Sequence, residues 1–336
     1  MHLVTGATGI VGTHVLLECA LRGPVRAIHR RSSDRSIVDR VFRFYRADAD
    51  ALLARIEWVG ADLLDVDGLR TSMQGIEYVF HAAAMVSFAP GDADSMHQVN
   101  VTGTANVVNA ALECGVQRLC HVSSTAAIGE EPPGVPRTES SPWNSDKHTS
   151  AYSLSKYAAE MEVYRGIAEG LEAVFVNPCV VIGPGVDGRS SMTLVERLRR
   201  GTRFYPPGSN AVVDARDVAA CMLALAERST SGERYLLVGE NISYQRLFLL
   251  LSEAFHQPAP SRPLSPWMLQ LAWRLEKLRT TFTRSRPFIT RATVHSALNQ
   301  RSYSAAKVEA ALGYQFRGAA EAVSNVAAFA SGSTVG

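Results

Sequence analysis

Leu3-Val4-Thr5-Gly6-Ala7-Thr8-Gly9-Ile10-Val11-Gly12 opens the chain and decides its fold. Leu3-Val4 reads as a short apolar strand. Three glycines then recur at three-residue spacing and lead into a helical pattern that ends near Leu21. A glycine turn between strand and helix lets backbone approach a pyrophosphate, whose charge is stabilised at a helix N-terminus. The spacing departs from the usual G-x-G-x-x-G, so the surrounding pattern has to support the reading. It does, because strand-like runs follow at Val25–Ile28, Ile56–Gly60, Tyr78–His81, Arg118–Ser123 and Ala173–Val176. They alternate with helical stretches over Gly9–Leu21, Val66–Met73, Met96–Cys114 and Tyr152–Glu169. This rhythm predicts an α/β chain with a doubly wound parallel sheet.

After Asn177-Pro178 the rhythm loosens. The fold expected is a Rossmann-type sheet domain over residues 1–178 with a smaller, mostly helical C-terminal substrate lobe. Residues 211–240, with strand-like Ala211–Val213 and Arg234–Val238, are expected to rejoin the sheet. Residues 179–210 and 241–330 are left to the lobe, including helical patterns over Tyr244–Phe255 and Trp267–Leu278. Gly129–Thr149, Gly183–Ser191 and Tyr205–Asn210 read as loops. With 336 residues the chain can bury a large core, and its net charge of +2 gives no reason to expect nucleic acid. Five cysteines without a C-x-x-C pair suit buried, reduced thiols, and no metal site is expected. A strand starting at residue 3 and the lack of a long apolar run predict a cytoplasmic protein with no signal peptide and no transmembrane segment.

Tyr152 and Lys156, in Ala151-Tyr-Ser-Leu-Ser-Lys-Tyr157, are the chemically informative pair. Four positions apart on a helix, they share one face. Lowering a phenol pKa from about 10 toward 7 takes roughly 4 kcal/mol, which one cation at ~4 Å and an effective dielectric of ~20 supplies. Such a phenol suits general acid/base work near neutral pH.

Six motifs in order, Thr5–Gly12, Asp62-Leu63, His81-Ala-Ala-Ala84, Val122-Ser-Ser-Thr125, Tyr152-Ser-Leu-Ser-Lys156 and Asn177-Pro-Cys-Val-Val-Ile-Gly-Pro184, resemble the extended branch of the short-chain dehydrogenase/reductase superfamily. This is the NAD-dependent epimerase/dehydratase superfamily. Val25-Arg-Ala-Ile-His-Arg30 and the closing Tyr303-Ser-Ala-Ala-Lys307 with Leu312-Gly-Tyr314 are most similar to its 3β-hydroxysteroid dehydrogenase and dihydroflavonol reductase-like members. The resemblance implies catalytic roles for Ser124, Tyr152 and Lys156. It implies cofactor contacts from Gly6, Thr8, Gly9, Ile10, Val11, Gly12, Asp62, Leu63, His81, Ala82, Ala83, Ala84, Tyr152, Lys156 and Pro178. His81, at a strand end, also suits a core role. Ser123 should face away from Ser124 and make a structural hydrogen bond.

At the end of the second strand, Arg30 and Arg31 stand where an NAD-specific fold places a carboxylate, so NADP is expected, with NAD as the alternative. Asp34 comes too late in the chain to be that acid unless the loop bends back. Ser124-Thr125-Ala126 lacks the Asp-Glu pair of the sugar-nucleotide dehydratases. What remains is a carbonyl reductase or alcohol dehydrogenase, with a sugar-nucleotide epimerase holding NAD as the alternative and a non-catalytic NADP-binding regulator behind it. Val86, Phe88, Ser124, Trp143, Asn177 and Phe204 are the candidate contacts for a small-molecule carbonyl or alcohol substrate, near the turn Met85–Phe88 and Tyr205. Arg189, Arg197, Arg199, Arg200 and Arg203 offer charge for a diphosphate, or simply a solvated helix face. Trp267–Leu278, followed by Arg279, Arg284 and Arg286, suits a lobe helix first and an amphipathic membrane-surface helix second. The resemblance also implies a homodimer packed through Met96–Cys114 and Tyr152–Glu169.

Overall fold

The computed structural model describes residues 1–146, 149–186, 192–283, 287 and 289–332. Arg189, Arg284 and Arg286 lie outside the described residues, as do 147–148 within the 129–149 loop and 187–191 at the end of the 183–191 loop. The strands are β1 (His2–Thr5), β2 (Val25–His29), β3 (Ile56–Gly60), β4 (Tyr78–His81), β5 (Arg118–Val122), β6 (Ala173–Pro178), β7 (Val180–Ile182), β8 (Phe204–Tyr205), β9 (Ser209–Asp214), β10 (Arg234–Leu237), β11 (Glu240–Ser243) and β12 (Arg262–Pro263). The helices are α1 (Ile10–Arg22), α2 (Ser36–Tyr45), α3 (Ala49–Leu53), α4 (Val66–Met73), α5 (Ala93–His97), α6 (Gly103–Glu113), α7 (Ala151–Ala168), α8 (Met192–Arg199), α9 (Ala215–Arg228), α10 (Tyr244–Ala254), α11 (Pro266–Thr283), α12 (Arg291–Leu298), α13 (Ala306–Leu312) and α14 (Ala319–Ala330).

Seven parallel strands form the central sheet in the order β10-β6-β5-β4-β1-β2-β3. Alternating side chains along each strand feed two cores. Val4, Phe80, Cys120, Val122, Val174 and Val176 pack on the side of α1, α2 and α9. Leu3, Val79, Leu119, Ala173 and Phe175 pack with Leu69, Val107 and Val163 of α4, α6 and α7 on the other. Phe80 and Phe175 are almost wholly buried, each worth roughly 2–3 kcal/mol by apolar transfer. The strand order reverses at β1, which lies between β2 and β4. A crevice therefore opens at the carboxyl ends of β1 and β4, the usual ligand position of such sheets.

The sequence pattern needs amendment in three places. Of residues 211–240, only β10 joins the central sheet, parallel to β6. β9 instead pairs with β7 and β11, because both of its edges are taken in a separate three-stranded sheet. The Met96–Cys114 stretch is broken by a π-helical turn over Gln98–Thr102 between α5 and α6. α2 and α3 add two helices that the strand–helix rhythm does not mark. Cys19, Cys120, Cys179 and Cys221 are buried, Cys114 is half-buried, and all five are free thiols.

Candidate active site

The turn after β1 is shaped by contacts that only glycine permits. Gly6 has φ +67°, and a Cβ there would lie 2.6 Å from the Ala83 backbone. A Cβ on Gly12 would lie 2.1 Å from the Gly6 carbonyl oxygen. These contacts hold the first turn of α1 against the β1 turn and the β1 turn against the end of β4. Gly9 caps α1 without a side-chain hydrogen bond, and no acidic residue sits in the first turn. The helix N-terminus is therefore a cradle suited to an anion, and it fits a dinucleotide pyrophosphate. Thr8 and Ile10 are half-buried at its edge, whereas Val11 is buried in the core and offers the crevice only backbone.

Asp62 is half-buried, with Oδ1 accepting from the Leu64 amide at 3.0 Å. Leu63 is buried, packs where Gly103 has no Cβ, and gives its carbonyl to Asn106. Ala82 and Ala83 are half-buried and Ala84 is exposed, whereas Pro178 is buried at the end of β6. His81 turns into the core. Its Nδ1 lies 2.7 Å from Thr5 Oγ1, its Nε2 lies 3.0 Å from Thr104 Oγ1, and burial holds its pKa down to about 3. The imidazole is a neutral strut between β1, β4 and α6 rather than a cofactor contact. Arg30 and Arg31 are exposed at the end of β2, next to the crevice. Asp34 accepts from the Ser36 amide at the start of α2.

At the end of β5, Ser124 begins a 3-10 turn, and its Oγ accepts from the Ala126 amide at 3.1 Å. Ser150 caps α7 by accepting from the Ser153 amide, which places Tyr152 in the first turn of that helix. The Tyr152 phenol lies near enough to Ser124 for that side chain to favour its ionised form. The Phe88 ring meets Tyr152 edge-on, with centroids 5.8 Å apart. Lys156 is buried, and its Nζ donates to the Val122 carbonyl at 2.6 Å.

The expected lowering of the Tyr152 pKa is not found. Burial pushes the phenol up, only the neighbouring Ser124 opposes this, and Lys156 is turned to Val122. The Lys156 ammonium is itself lowered to about 8 by burial, with Glu160 opposing. Ser123 Oγ is buried with no hydrogen-bond partner, so the structural bond expected for it is absent.

Asn177 does not line a substrate surface. It is wholly buried, and its Nδ2 donates to the Ser124 carbonyl at 3.0 Å and to Glu160 Oε1 at 2.6 Å. Glu160, also buried, pairs with Arg234 at 3.0 Å, and Arg234 reaches the Glu139 carbonyl. This network fixes Ser124 from beneath, and the sequence reading missed Glu160, Arg234 and Glu139. The signal for Glu160 was its spacing, since Tyr152, Lys156 and Glu160 continue one stripe of α7. Asn100, in the π-helical turn, was also missed. It bonds both backbone groups of Met85 and the Ser155 hydroxyl, joining the turn before Phe88 to α7.

Phe88 is exposed beside Tyr152, and Val86, two residues earlier, is exposed as well. Trp143 stacks on Tyr157, with centroids 4.4 Å apart and planes 5° from parallel. Phe204 is half-buried in the β8–β12 ribbon of the lobe. Arg197, Arg199, Arg200 and Arg203 are exposed, and Arg200 pairs with Glu196 one turn away, as on a solvated helix face.

The model of the NAD dependent epimerase/dehydratase family matches residues 2–238. A putative dihydroflavonol 4-reductase of Synechocystis sp. is 35% identical over 319 residues, 92% of this chain and 88% of the relative. Sterol demethylase protein B of Methylococcus capsulatus is 32% identical over 272 residues, 80% of this chain and 78% of the relative. Among solved structures, the crystal structure of gox2253 is 32% identical and superposes with a TM-score of 0.80, covering 98% of this chain and 97% of the other.

Proposed function

Because the chain belongs to the NAD dependent epimerase/dehydratase family and is an NAD(P)-dependent oxidoreductase of its extended short-chain branch, we propose that it reduces a ketone or aldehyde with NADPH, or oxidises the matching alcohol. The observation that carries this reading is the placing of Tyr152 next to Ser124, between an open glycine cradle and the exposed ring of Phe88.

The bound cofactor supplies the hydride. Tyr152 gives its proton to the carbonyl oxygen, a transfer favoured by a phenol that burial keeps protonated. Ser124 Oγ accepts a hydrogen bond from the Ala126 amide, which leaves its own O–H to donate to the substrate oxygen. Lys156, already bonded to the Val122 carbonyl, would use its remaining donors on the nicotinamide ribose. Arg30 and Arg31, exposed at the end of β2, would hold the 2′-phosphate as planar, permanently charged donors. Val86 and Phe88 favour a hydrophobic substrate, in keeping with relatives named for a dihydroflavonol and a sterol. Leu154 and Met161, seven residues apart on α7 and both exposed, support pairing of two copies through this helix.

NADPH oxidation measured across hydrophobic ketones and aldehydes tests the reading. Turnover on at least one of them, lost in Tyr152→Phe, is expected. A purified protein that carries tightly held NAD, epimerises sugar nucleotides and ignores carbonyl compounds would overturn it.

A further inference from the structure

The three most exposed large apolar side chains among the described residues all lie on α11. Trp267, Leu275 and Leu278 are 67%, 57% and 55% exposed, and Leu271 adds 46%. At about 100° per residue the four fall within an arc of roughly 80°, running about 16 Å along the helix. The opposite side holds the helix to the lobe: Leu269 is buried, and Met268, Ala272 and Trp273 are half-buried.

Charge frames the apolar row. Arg274 lies about 20° beyond one edge and Arg279 about 40° beyond the other, and both are exposed, as is Lys277. The one carboxylate of the helix, Glu276, is half-buried and bonded to Arg279 at 2.9 Å, so no described carboxylate of α11 is exposed. A convex row of leucines with tryptophan at one end, Arg274 and Lys277 on one flank and the Arg279–Glu276 pair on the other is complementary to a lipid surface. The apolar row enters the acyl boundary while the cations meet anionic headgroups. A second copy docked face to face would bring these cations toward each other. No described helix is long and apolar enough to cross a membrane, so the geometry is that of a helix lying on one.

We propose that α11 docks the lobe on the surface of an anionic lipid bilayer through Trp267, Leu271, Leu275 and Leu278, with Arg274, Lys277 and Arg279 at the headgroups.

Flotation of the full chain with phosphatidylcholine vesicles containing about one third phosphatidylserine tests this. The protein should float with these vesicles, and several-fold less with phosphatidylcholine alone or at high salt. The variant carrying Leu271→Ser, Leu275→Ser and Leu278→Ser should bind about tenfold or more weakly. Its circular dichroism and NADPH turnover should stay unchanged, because these side chains are exposed. Quenching by brominated lipid that disappears in Trp267→Phe gives a second readout in an otherwise unaltered chain. A wild-type protein that stays with neither vesicle, or a triple variant that floats as well as the wild type, would overturn the proposal. So would a wild-type dimer that binds no vesicle and is dissolved by the triple change, which would assign the face to a second copy.

Discussion

Lys156 donates to the main-chain carbonyl of Val122 at 2.6 Å, tying the helix that carries Tyr152 to the end of the strand that leads into Ser124. The ammonium thus helps set the distance between Tyr152 and Ser124. Glu160, one turn further along α7, holds the same strand end through Asn177 and the Ser124 carbonyl.

Tyr152→Phe removes the proton donor and leaves the ring packed against Phe88. Stopped-flow or steady-state turnover should fall about a thousandfold, within the range of general acid catalysis, while NADPH affinity by fluorescence titration stays within about twofold. Turnover near the wild-type level would remove Tyr152 from the mechanism.

Lys156 has its pKa lowered to about 8 by burial, with Glu160 acting in the opposite direction. His81 and His121, the other titratable groups near it, have pKa values held below the ordinary histidine range by burial and stay neutral at this pH. Lys156 therefore carries charge below about pH 8 and loses it above, so kcat/KM should fall as pH rises through that value. In Glu160→Gln the opposing influence is gone, and the fall should move to lower pH. A profile fixed in pH by this change, with only its amplitude altered, would show that Glu160 acts on packing alone.

The same group affects stability with a definite sign. Because the folded pKa of Lys156 lies below its unfolded value near 10.5, the unfolded chain binds more protons between them, and this residue's contribution to stability rises with pH across that window. Lys156→Met should flatten the slope of urea-unfolding stability between about pH 8 and 10. An unchanged slope would contradict the lowered pKa.

Arg30→Ala with Arg31→Ala should weaken NADPH binding about tenfold to a hundredfold and leave NADH nearly unchanged, as expected for the loss of charge-assisted bonds to a phosphate. Equal losses for both cofactors would place the arginines outside the 2′-phosphate site.

Gly12→Ala puts a Cβ 2.1 Å from the Gly6 carbonyl oxygen, a backbone atom that cannot move without dislodging α1. Thermal or urea unfolding should show a loss of about 3 kcal/mol or more, together with loss of dinucleotide binding. A stable variant that binds NADPH normally would refute the cradle geometry.

Local pattern made much of this protein legible. Alternation along Leu3-Val4, Val79-Phe80 and Leu119-Cys120 can be satisfied only by a sheet covered on both faces. The glycine turn after β1, the Tyr152–Lys156 pair on α7 and Ser124 after β5 are likewise properties of short segments. Other features depend on groups far apart in the chain. Asn177 sits at a strand end and looks available to substrate, yet tertiary packing turns it down to Glu160 and the Ser124 carbonyl. His81 shares a motif with cofactor-lining alanines but is claimed by Thr5 and Thr104.

Sequence by itself determined the doubly wound sheet and the extents of β2 to β6 to within a residue or two, because periodicity is written within single elements. Tertiary structure alone decided that β9 leaves the central sheet, that Lys156 points to Val122, and that α11 keeps four large apolar side chains in solvent. Each of these rests on which partner, across tens or hundreds of residues, a polar atom or an apolar face finds, and no local periodicity encodes that choice.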